Sequence, residues 1–211
     1  MSPSAASRPA HRPSRRTGIV AAAVDLFKVQ PPEIVTVADI ADRAGMTSAA
    51  FYYHFASKEE LLEELVETFA ETWVAAVTSR LQATEDVDHL GDFTDSALDW
   101  VEDNQSEALV FFSTAVGATA AVDQCRATTR ERIIDVMTTE LRRLAPSRTP
   151  AKTEASAVGL FVLIYVSARS QLTTDEVFVT LGRSRFRREV RVLASSVVVS
   201  SRTPKAQPAT V

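Results

Sequence analysis

Two adjacent tyrosines, Tyr52 and Tyr53, are the side chains of this sequence best suited to recognise a ligand. Each joins an aromatic body, which packs against apolar groups, to a hydroxyl that reaches a phosphate oxygen or the edge of a base. The neighbouring Phe51 and Phe55 carry no polar atom, and we interpret them as core residues of a small domain. One of the tyrosines can also belong to that core. The chemistry indicated by this segment is hydrogen bonding without a covalent step.

Sequence patterns of the common enzyme classes are missing. There is no Gly-x-Ser-x-Gly segment, no His-Glu-x-x-His, and no glycine-rich phosphate loop among the six glycines. The single cysteine, Cys125, excludes an intramolecular disulfide and fits a reducing compartment. His54 has no second metal ligand at helical spacing. We expect no catalytic residue, no metal and no cofactor, although buried acids in a helical domain would escape this search.

Two short helices are predicted on either side of a tight turn at Gly45. Thr36 is a suitable N-cap for the first, and Gly45 stands where a left-handed C-cap ends it. Thr47 or Ser48 then caps the second helix. Two short helices joined in this way form a helix-turn-helix.

A further helix on each side extends this domain. Apolar residues at helical spacing predict a helix from Thr17 that stops at Pro31-Pro32. A capping box at 57–60 begins a longer helix on the other side.

Helical periodicity continues through most of the remaining chain. The later helices are predicted at 92–103, 107–118, 122–144, 153–172 and 175 to about 199, with breaks at Gly91, at 145–150 and around 173–174. The run 197–199 is strand-like by propensity but continues the apolar stripe of the last helix. The sequence predicts an all-α fold of about nine helices: an N-terminal three-helix helix-turn-helix domain and a C-terminal helical bundle.

Charge is distributed unevenly, although the formal net charge is only −4. Residues 1–58 carry seven Lys and Arg against four Asp and Glu, whereas 59–120 carry one basic side chain against fifteen acidic ones. A basic N-terminal segment followed by an acidic segment is expected if only the N-terminal segment approaches a polyanion. The acidic side chains can equally form the solvated faces of exposed helices.

The N-terminal residues 1–14 contain three prolines and no apolar periodicity, which predicts a disordered basic arm. Its arginines, counted as far as Arg16, would follow a phosphate backbone or enter a minor groove, unless the segment is a plain tail. It does not resemble a secretory signal, and no apolar run is as long as a bilayer requires. We expect a cytoplasmic bacterial protein that does not bind a membrane.

Three motifs between Arg16 and Leu65 resemble the DNA-binding domain of TetR-family regulators. The motifs are Thr36-Val37-x-x-Ile40-Ala41-x-x-Ala44-Gly45, Phe51-Tyr52-Tyr53-His54-Phe55 and Ser57-Lys58-Glu59-Glu60-Leu61-Leu62. The resemblance implies a transcriptional regulator, usually a repressor, that binds a near-palindromic operator as a homodimer and is released by a small-molecule effector. It divides the chain into the arm at 1–14, a helix-turn-helix domain at 15–60, an effector-binding and dimerisation domain at 61–201, and a disordered tail at 202–211.

The resemblance also implies which residues contact DNA. In the family, the position of Thr36 caps its helix while touching a phosphate, and those of Tyr52, Tyr53, His54 and Lys58 meet the backbone or the bases. With the arm and the recognition helix, the candidate DNA-binding residues are Arg15, Arg16, Thr36, Thr47, Ser48, Ala49, Ala50, Tyr52, Tyr53, His54 and Lys58.

Two segments depart from the family pattern. The loop at 29–32 lacks the usual glycine, and the recognition helix carries small residues at 47–50 where many relatives have Lys, Arg or Gln. Ser48, the alanine methyls and Tyr52 must then read the bases. We expect weak dependence on individual guanines and more reliance on the arm and on DNA shape.

A single domain of this size reads too few base pairs for tight, specific binding, so we expect a homodimer through the last two predicted helices. Some of their apolar surface can instead face the protomer's own core. The candidate interface residues are Phe161, Ile164, Phe178, Leu181, Phe186, Val190 and Leu193.

Aromatic side chains of the larger domain suggest a pocket for a small, largely apolar effector, although aromatic residues at helical spacing are often ordinary core. The candidate pocket residues are Phe69, Trp73, Phe93, Trp100, Phe111, Phe112 and Tyr165. The helix that begins at Lys58 would transmit binding to the DNA-binding domain. The alternative is a helical ligand- or protein-binding dimer with a non-specific DNA head.

Overall fold

The computed structural model describes residues 14–173 and 175–199, and all regular structure in these ranges is helical. It comprises α1 (Arg15–Phe27), α2 (Val37–Arg43), α3 (Ser48–Tyr52), α4 (Lys58–Gln82), a 3-10 turn (Val87–His89), α5 (Leu90–Asp103), α6 (Gln105–Ser113), α7 (Ala120–Leu144), α8 (Pro150–Thr173), α9 (Glu176–Leu181) and α10 (Arg183–Val199). The predicted arm up to residue 13 and the predicted tail at 202–211 lie outside the described residues. The chain divides into two compact units, 1–61 and 62–211. The all-α prediction is confirmed, with ten α-helices in the described ranges instead of about nine.

Side-chain caps define the short helices of the first unit. Thr36 and Asp39 form the predicted capping box at the start of α2, and the Thr47 hydroxyl accepts the Ala50 N–H at the start of α3. Gly45 follows α2 with a φ of 65°, a left-handed conformation that glycine adopts without steric cost. The Met46 N–H donates to the Ala41 carbonyl at 2.8 Å, which closes a Schellman turn.

The core of the first unit is built on apolar residues from α1, α2, α3 and the loop that follows α3. Ile19, Ile40 and Phe51 are fully buried, and Phe55 is nearly so. The interpretation of Phe51 and Phe55 as core residues is confirmed. Because Phe51 and Phe55 point into the core, the residues between them, 52–54, lie at the surface.

Helix α8 is central to the second unit, where it packs against α5, α6, α7 and α10. Within the described residues, α8 has the length and apolar composition to cross a membrane, but half of its apolar window is buried inside the protein. Leu160, Ile164 and Ala168 form the buried face. This helix is therefore the core of the second unit.

A close approach between α5 and α10 occurs at Gly91. A Cβ atom at this position would lie 2.7 Å from Cγ of Arg191 and 3.3 Å from its carbonyl oxygen. The prediction that Gly91 breaks the chain between helices is wrong, since Gly91 lies inside α5. Its missing side chain makes room for α10.

Arginines of α10 pair with acidic residues of α5 along this contact. Arg191 bridges Asp92 and Asp95, and Arg187 lies 2.7 Å from Asp99. Arg183 pairs with Glu102 one turn further on. The acidic middle of the sequence thus neutralises part of the basic C-terminal segment.

Two helices end earlier than predicted. The helix predicted from 175 to 199 is interrupted at Gly182, where φ is 72°, and becomes α9 and α10. The helix predicted at 107–118 ends at Ser113, and Gly117 has a φ of 84°. A left-handed glycine cannot continue a right-handed helix, which explains the break between α9 and α10. Helix α6 ends four residues before Gly117, so that glycine does not account for its end.

Candidate nucleic-acid interface

Helix α3 presents one polar face to solvent because Phe51 fixes its other face in the core. Ser48 and Ala49 are exposed, as are Tyr52 and Tyr53, whose side chains are 57% and 85% accessible. The Tyr52 ring packs edge-on against Phe51 with the ring centroids 5.6 Å apart. Both predicted tyrosines are therefore surface residues, and neither belongs to the core.

His54 extends this surface by one residue. Its imidazole stacks edge-on against Tyr53, with ring centroids 5.1 Å apart, and it is partly exposed. The Tyr53 ring and the His54 imidazole thus lie next to one another just beyond the end of α3. Such groups donate to phosphate oxygens as well as to base edges.

The hydroxyl of Thr36 takes part in the structure as well as in the candidate interface. It accepts the Asp39 N–H at 3.2 Å and donates to the Asp39 carboxylate at 2.6 Å. These bonds from the side chain and from the backbone N–H of Thr36 lower the pKa of Asp39 below its ordinary range. Thr36 remains exposed, so its hydroxyl reaches a phosphate oxygen once its proton turns away from Asp39.

Lys58 has a structural role that the sequence does not reveal. Its ammonium donates to the carbonyls of Pro32 at 2.7 Å and Val35 at 2.8 Å, both in the loop before α2. An ammonium has three N–H donors, so one remains for a phosphate. The first residue of α4 thereby holds the loop that leads into the helix-turn-helix.

Arg15 and Arg16 directly follow the predicted arm, and α1 begins with them, two residues before the predicted helix start at Thr17. Both lie in the first turn of α1, which is capped by the Ser14 hydroxyl. The Arg16 guanidinium lies over the Phe55 ring, with Cζ 4.6 Å from its centroid, in a cation–π contact. Both residues are still exposed and keep their charge on the surface of this unit.

The described part of the first unit has no excess of positive charge. Residues 14–61 carry five basic and six acidic side chains. Asp25 pairs with Arg43 at 3.0 Å and with Lys28 at 3.1 Å, and these contacts lower its pKa. A phosphate backbone would therefore meet a few local cations and hydroxyls on this part of the first unit, and not a broad basic surface.

Six of the seven predicted effector-pocket residues meet in one cluster in the second unit. With Phe161, which had been placed in the dimer interface, they form what we term the aromatic cluster: Phe69, Trp73, Trp100, Phe111, Phe112, Phe161 and Tyr165. Phe93 is not joined to it by a ring contact that the structure records. It lines a separate open depression of about 480 Å³ together with Arg80 and His89.

Several residues predicted for the dimer interface are buried within the protomer. Phe161, Ile164, Phe186 and Val190 are at most 9% exposed, so their assignment to a partner-facing surface is wrong. Phe178 and Leu181 are half-buried. Leu193 is exposed, as expected for an interface residue.

An exposed apolar stripe on α8 was not foreseen. Val158, Val162 and Val166 are 45%, 49% and 54% accessible and recur every four residues, on one face of the helix. The sequence signal was present as a run that is apolar on all sides, but it did not distinguish the buried face from the exposed one.

The N-terminal region matches a known family model. Residues 19–65 match the model described as bacterial regulatory proteins, tetR family. The transcriptional repressor KstR2 of Mycolicibacterium smegmatis is 41% identical over 69 residues, which is 33% of this chain and 32% of that protein.

Two further similarities extend over most of the chain. The nucleoid occlusion factor SlmA of Marinobacter nauticus is 28% identical over 182 residues, covering 83% of this chain and 91% of that protein. The solved structure of the transcriptional regulator FadR from Bacillus subtilis in complex with stearoyl-CoA has a TM-score of 0.67 at 15% identity. That similarity covers 86% of this chain and 98% of FadR, and it shows a shared fold.

Proposed function

Because this chain belongs to the TetR family of bacterial regulatory proteins, we propose that it is a cytoplasmic repressor that binds a near-palindromic operator as a homodimer. A small-molecule effector releases it from DNA. The observation that carries this proposal is the helix-turn-helix of the first unit, in which α3 is held by buried Phe51 and exposes Tyr52 and Tyr53.

Recognition of the operator relies on short side chains at the start of α3. Ser48 and Ala49 are exposed, so a hydroxyl and a methyl group meet the base edges where longer side chains would make bidentate bonds. The hydroxyls of Tyr52 and Tyr53, His54 and the remaining N–H of Lys58 fix the position on the phosphate backbone. Sequence preference then depends more on thymine methyl groups and DNA shape than on guanines.

The dimer interface consists of the exposed valine stripe of α8 and the exposed side of α10. Val158, Val162 and Val166 supply the apolar surface on α8, and Val192 and Leu193 supply it on α10. Helices α8 and α10 pack against each other, and exposed apolar side chains on such neighbouring helices favour burial against a second copy. The dimer places two copies of α3 in successive major grooves.

The effector is a small, largely apolar molecule that binds in the second unit. Support comes from the aromatic cluster and from the FadR fold, whose solved structure contains stearoyl-CoA. Helix α4 begins at Lys58 in the first unit and runs to Gln82 in the second, so a ligand that shifts α4 also shifts Lys58. Release requires that the effector bind one arrangement more tightly than the other.

Selection of fragments from the host's genomic DNA by the purified protein tests this function. At about 0.15 M salt, where charge alone gives weak binding, we expect enrichment of a near-palindromic site that footprinting then delimits. Tyr53→Ala weakens binding to that site by about tenfold, and Tyr53→Phe separates the contribution of the hydroxyl from that of the ring.

Val116→Ala is the matched control, because Val116 is 90% exposed in the loop between α6 and α7 and makes no predicted DNA contact. It leaves the affinity unchanged. If no sequence is enriched above random DNA, the sequence-specific role is rejected. A helical ligand- or protein-binding dimer with a non-specific DNA head then becomes the better description.

A second candidate function is nucleoid occlusion, favoured by the similarity to SlmA over 91% of that protein, which includes the second unit. A factor that acts on the nucleoid as a whole has to occupy many positions on the chromosome. Mapping of bound DNA in cells separates the two functions, since a transcriptional repressor occupies a few sites close to promoters.

A further inference from the structure

The largest fully buried side chain of the protein, Trp73 on α4, has a polar atom without a partner. Its side chain is 1% exposed, and no acceptor among the described residues receives the N–H of its indole Nε1. Tryptophan buried in a protein core usually donates this hydrogen bond. The N–H is therefore a donor that an acceptor from outside the protein can satisfy.

The surroundings of Trp73 are aromatic on several sides. Ring centroids lie 5.3 Å away for Phe112, 5.6 Å for Phe111 and 6.3 Å for Tyr165. These residues come from α6 and α8, so the aromatic cluster joins α4 to two other helices. An apolar molecule that inserts between the rings replaces ring–ring contacts with ligand–ring contacts. If it carries an acceptor, that atom can receive the indole N–H.

A positive charge lies at the edge of the aromatic cluster. The Arg126 guanidinium of α7 is 5.6 Å from the centroid of Phe111, the ring that also contacts Trp73. It donates to the carbonyls of Phe111 and Thr114, and its nearest carboxylate, on Asp123, is 4.0 Å away. Burial lowers the pKa of Arg126, as expected for a cation that is desolvated without a close counterion.

We propose that the aromatic cluster binds a molecule with an apolar body and a carboxylate group, whose oxygen accepts the Trp73 N–H and whose charge is balanced by Arg126. The identification of this ligand as the effector of regulation rests on the proposed function. The binding site itself is inferred from the unpartnered indole N–H of Trp73 and from the adjacent Arg126, independently of that function. Tyr165 is the half-buried ring of α8 that contacts both Trp73 and Phe112.

A carboxylate suits this site better than a neutral acceptor. Both an alcohol and a carboxylate can accept the indole N–H, but only the carboxylate also gains from a poorly neutralised guanidinium in a medium of low dielectric constant. Arg169, close enough to act on the pKa of Arg126, adds a second positive charge. Asp123, 4.0 Å from Arg126, offsets part of this positive charge, and the partly buried Arg126 guanidinium favours an anion over a neutral group.

Two-dimensional ¹H–¹⁵N spectra of the full chain test the proposal directly, because the two tryptophans give two indole signals. Trp73→Phe and Trp100→Phe assign them. Decanoate, laurate and palmitate are added in turn, each beside the alcohol of the same length. We expect the Trp73 indole proton to shift downfield with at least one carboxylate, as it does on forming a hydrogen bond, and less with the matching alcohol.

Calorimetry on the variants supplies the affinities. Trp73→Phe weakens carboxylate binding by about tenfold or more, whereas Trp100→Phe, which removes the other indole of the cluster, has a smaller effect. Arg126→Gln removes the preference for carboxylate over alcohol. Arg132→Gln, on the same helix but paired with Glu71 at the surface, retains that preference.

The proposal is overturned if none of the carboxylates shifts the Trp73 signal, if alcohols shift it equally, or if Trp73→Phe binds as tightly as the natural protein. The spectra of the natural protein decide the first two points even where a variant does not fold. All these measurements are made without DNA. A failure here therefore leaves the operator selection untouched, and a failure of that selection leaves the ligand site standing.

Discussion

Thr36 illustrates the tension between two roles of one side chain, the helix cap that the structure shows and the DNA contact that we propose. Its hydroxyl accepts one hydrogen bond and donates its only proton within the capping box, so a hydrogen bond to a phosphate oxygen would require that proton to turn away from Asp39. The threonine-to-aspartate spacing was sufficient to predict this cap from the sequence, because the interaction is local. Lys58 could not be assigned in the same way, since its two acceptors lie 23 and 26 residues away in the chain.

Replacement of Thr36 by alanine removes the capping box of a helix only seven residues long. We expect Thr36→Ala to lower the free energy of unfolding by about 1 kcal/mol, and Thr36→Ser to retain most of it. Urea unfolding followed by circular dichroism measures both. Equal stability of the alanine and serine variants would show that the hydroxyl does not stabilise α2.

The pair formed by His89 and Asp86 gives a prediction about pH. The Asp86 carboxylate, 2.8 Å from Nδ1 of His89, raises the pKa of His89 above its ordinary value of 6.5. Because the pKa of His89 is raised in the folded state, the pair stabilises the fold at pH values below 6.5. This contribution is lost as pH rises through the folded-state pKa of His89. An NMR titration should show the raised pKa, and Asp86→Asn should return it towards 6.5. An unchanged midpoint in that variant would contradict the assigned cause.

At the scale of helices, the contact between α5 and α10 shows what periodicity cannot predict. A glycine in a sequence indicates either the end of a helix or a place where two backbones come close, and Gly91 was assigned to the first class. The deciding fact is the distance to Arg191, which belongs to a helix one hundred positions later in the chain. Gly45, in contrast, was assigned correctly because the turn it closes is local.

Two glycines inside helices form a matched pair for testing this contact. Gly91→Ala forces Arg191 away from Asp92 and Asp95 and should destabilise the protein by about 1–3 kcal/mol. Gly159→Ala in α8, whose added Cβ would lie 3.7 Å from Val197, should stabilise it by about 0.5–1 kcal/mol. Thermal unfolding of the two variants checks the opposite signs. A stabilising Gly91→Ala would mean that the contact is looser than described.

For the whole molecule, the division of apolar surface between core and partner is the part that the sequence predicted least well. The segment 159–168 is apolar on nearly all sides, so its pattern did not separate Ile164, which is buried, from Val162, which is exposed. Only the packing of the other helices around α8 decides which face remains. Fold class and the helix-turn-helix were predictable because they depend on local signals.

The proposed dimer predicts a clear effect of a charge in the valine stripe. A two-fold axis brings both copies of Val162→Asp into the same interface, so the dissociation constant of the dimer should rise by about a hundredfold or more. Sedimentation velocity measures the shift from dimer to monomer. Val116→Asp, at an exposed loop position, should leave the dimer intact. Dimers of unchanged affinity in Val162→Asp would place the interface elsewhere.

The bonds of Lys58 to the loop before α2 also constrain how this protein can diverge. Both acceptors are main-chain carbonyls, so the bonds themselves do not depend on which side chains occupy the loop. Exposed positions such as Val29, Gln30 and Ile34 are free to change during evolution. An insertion or deletion would instead carry the carbonyls away from the ammonium. We expect homologues that retain this lysine to vary in the sequence of the loop but to keep its length.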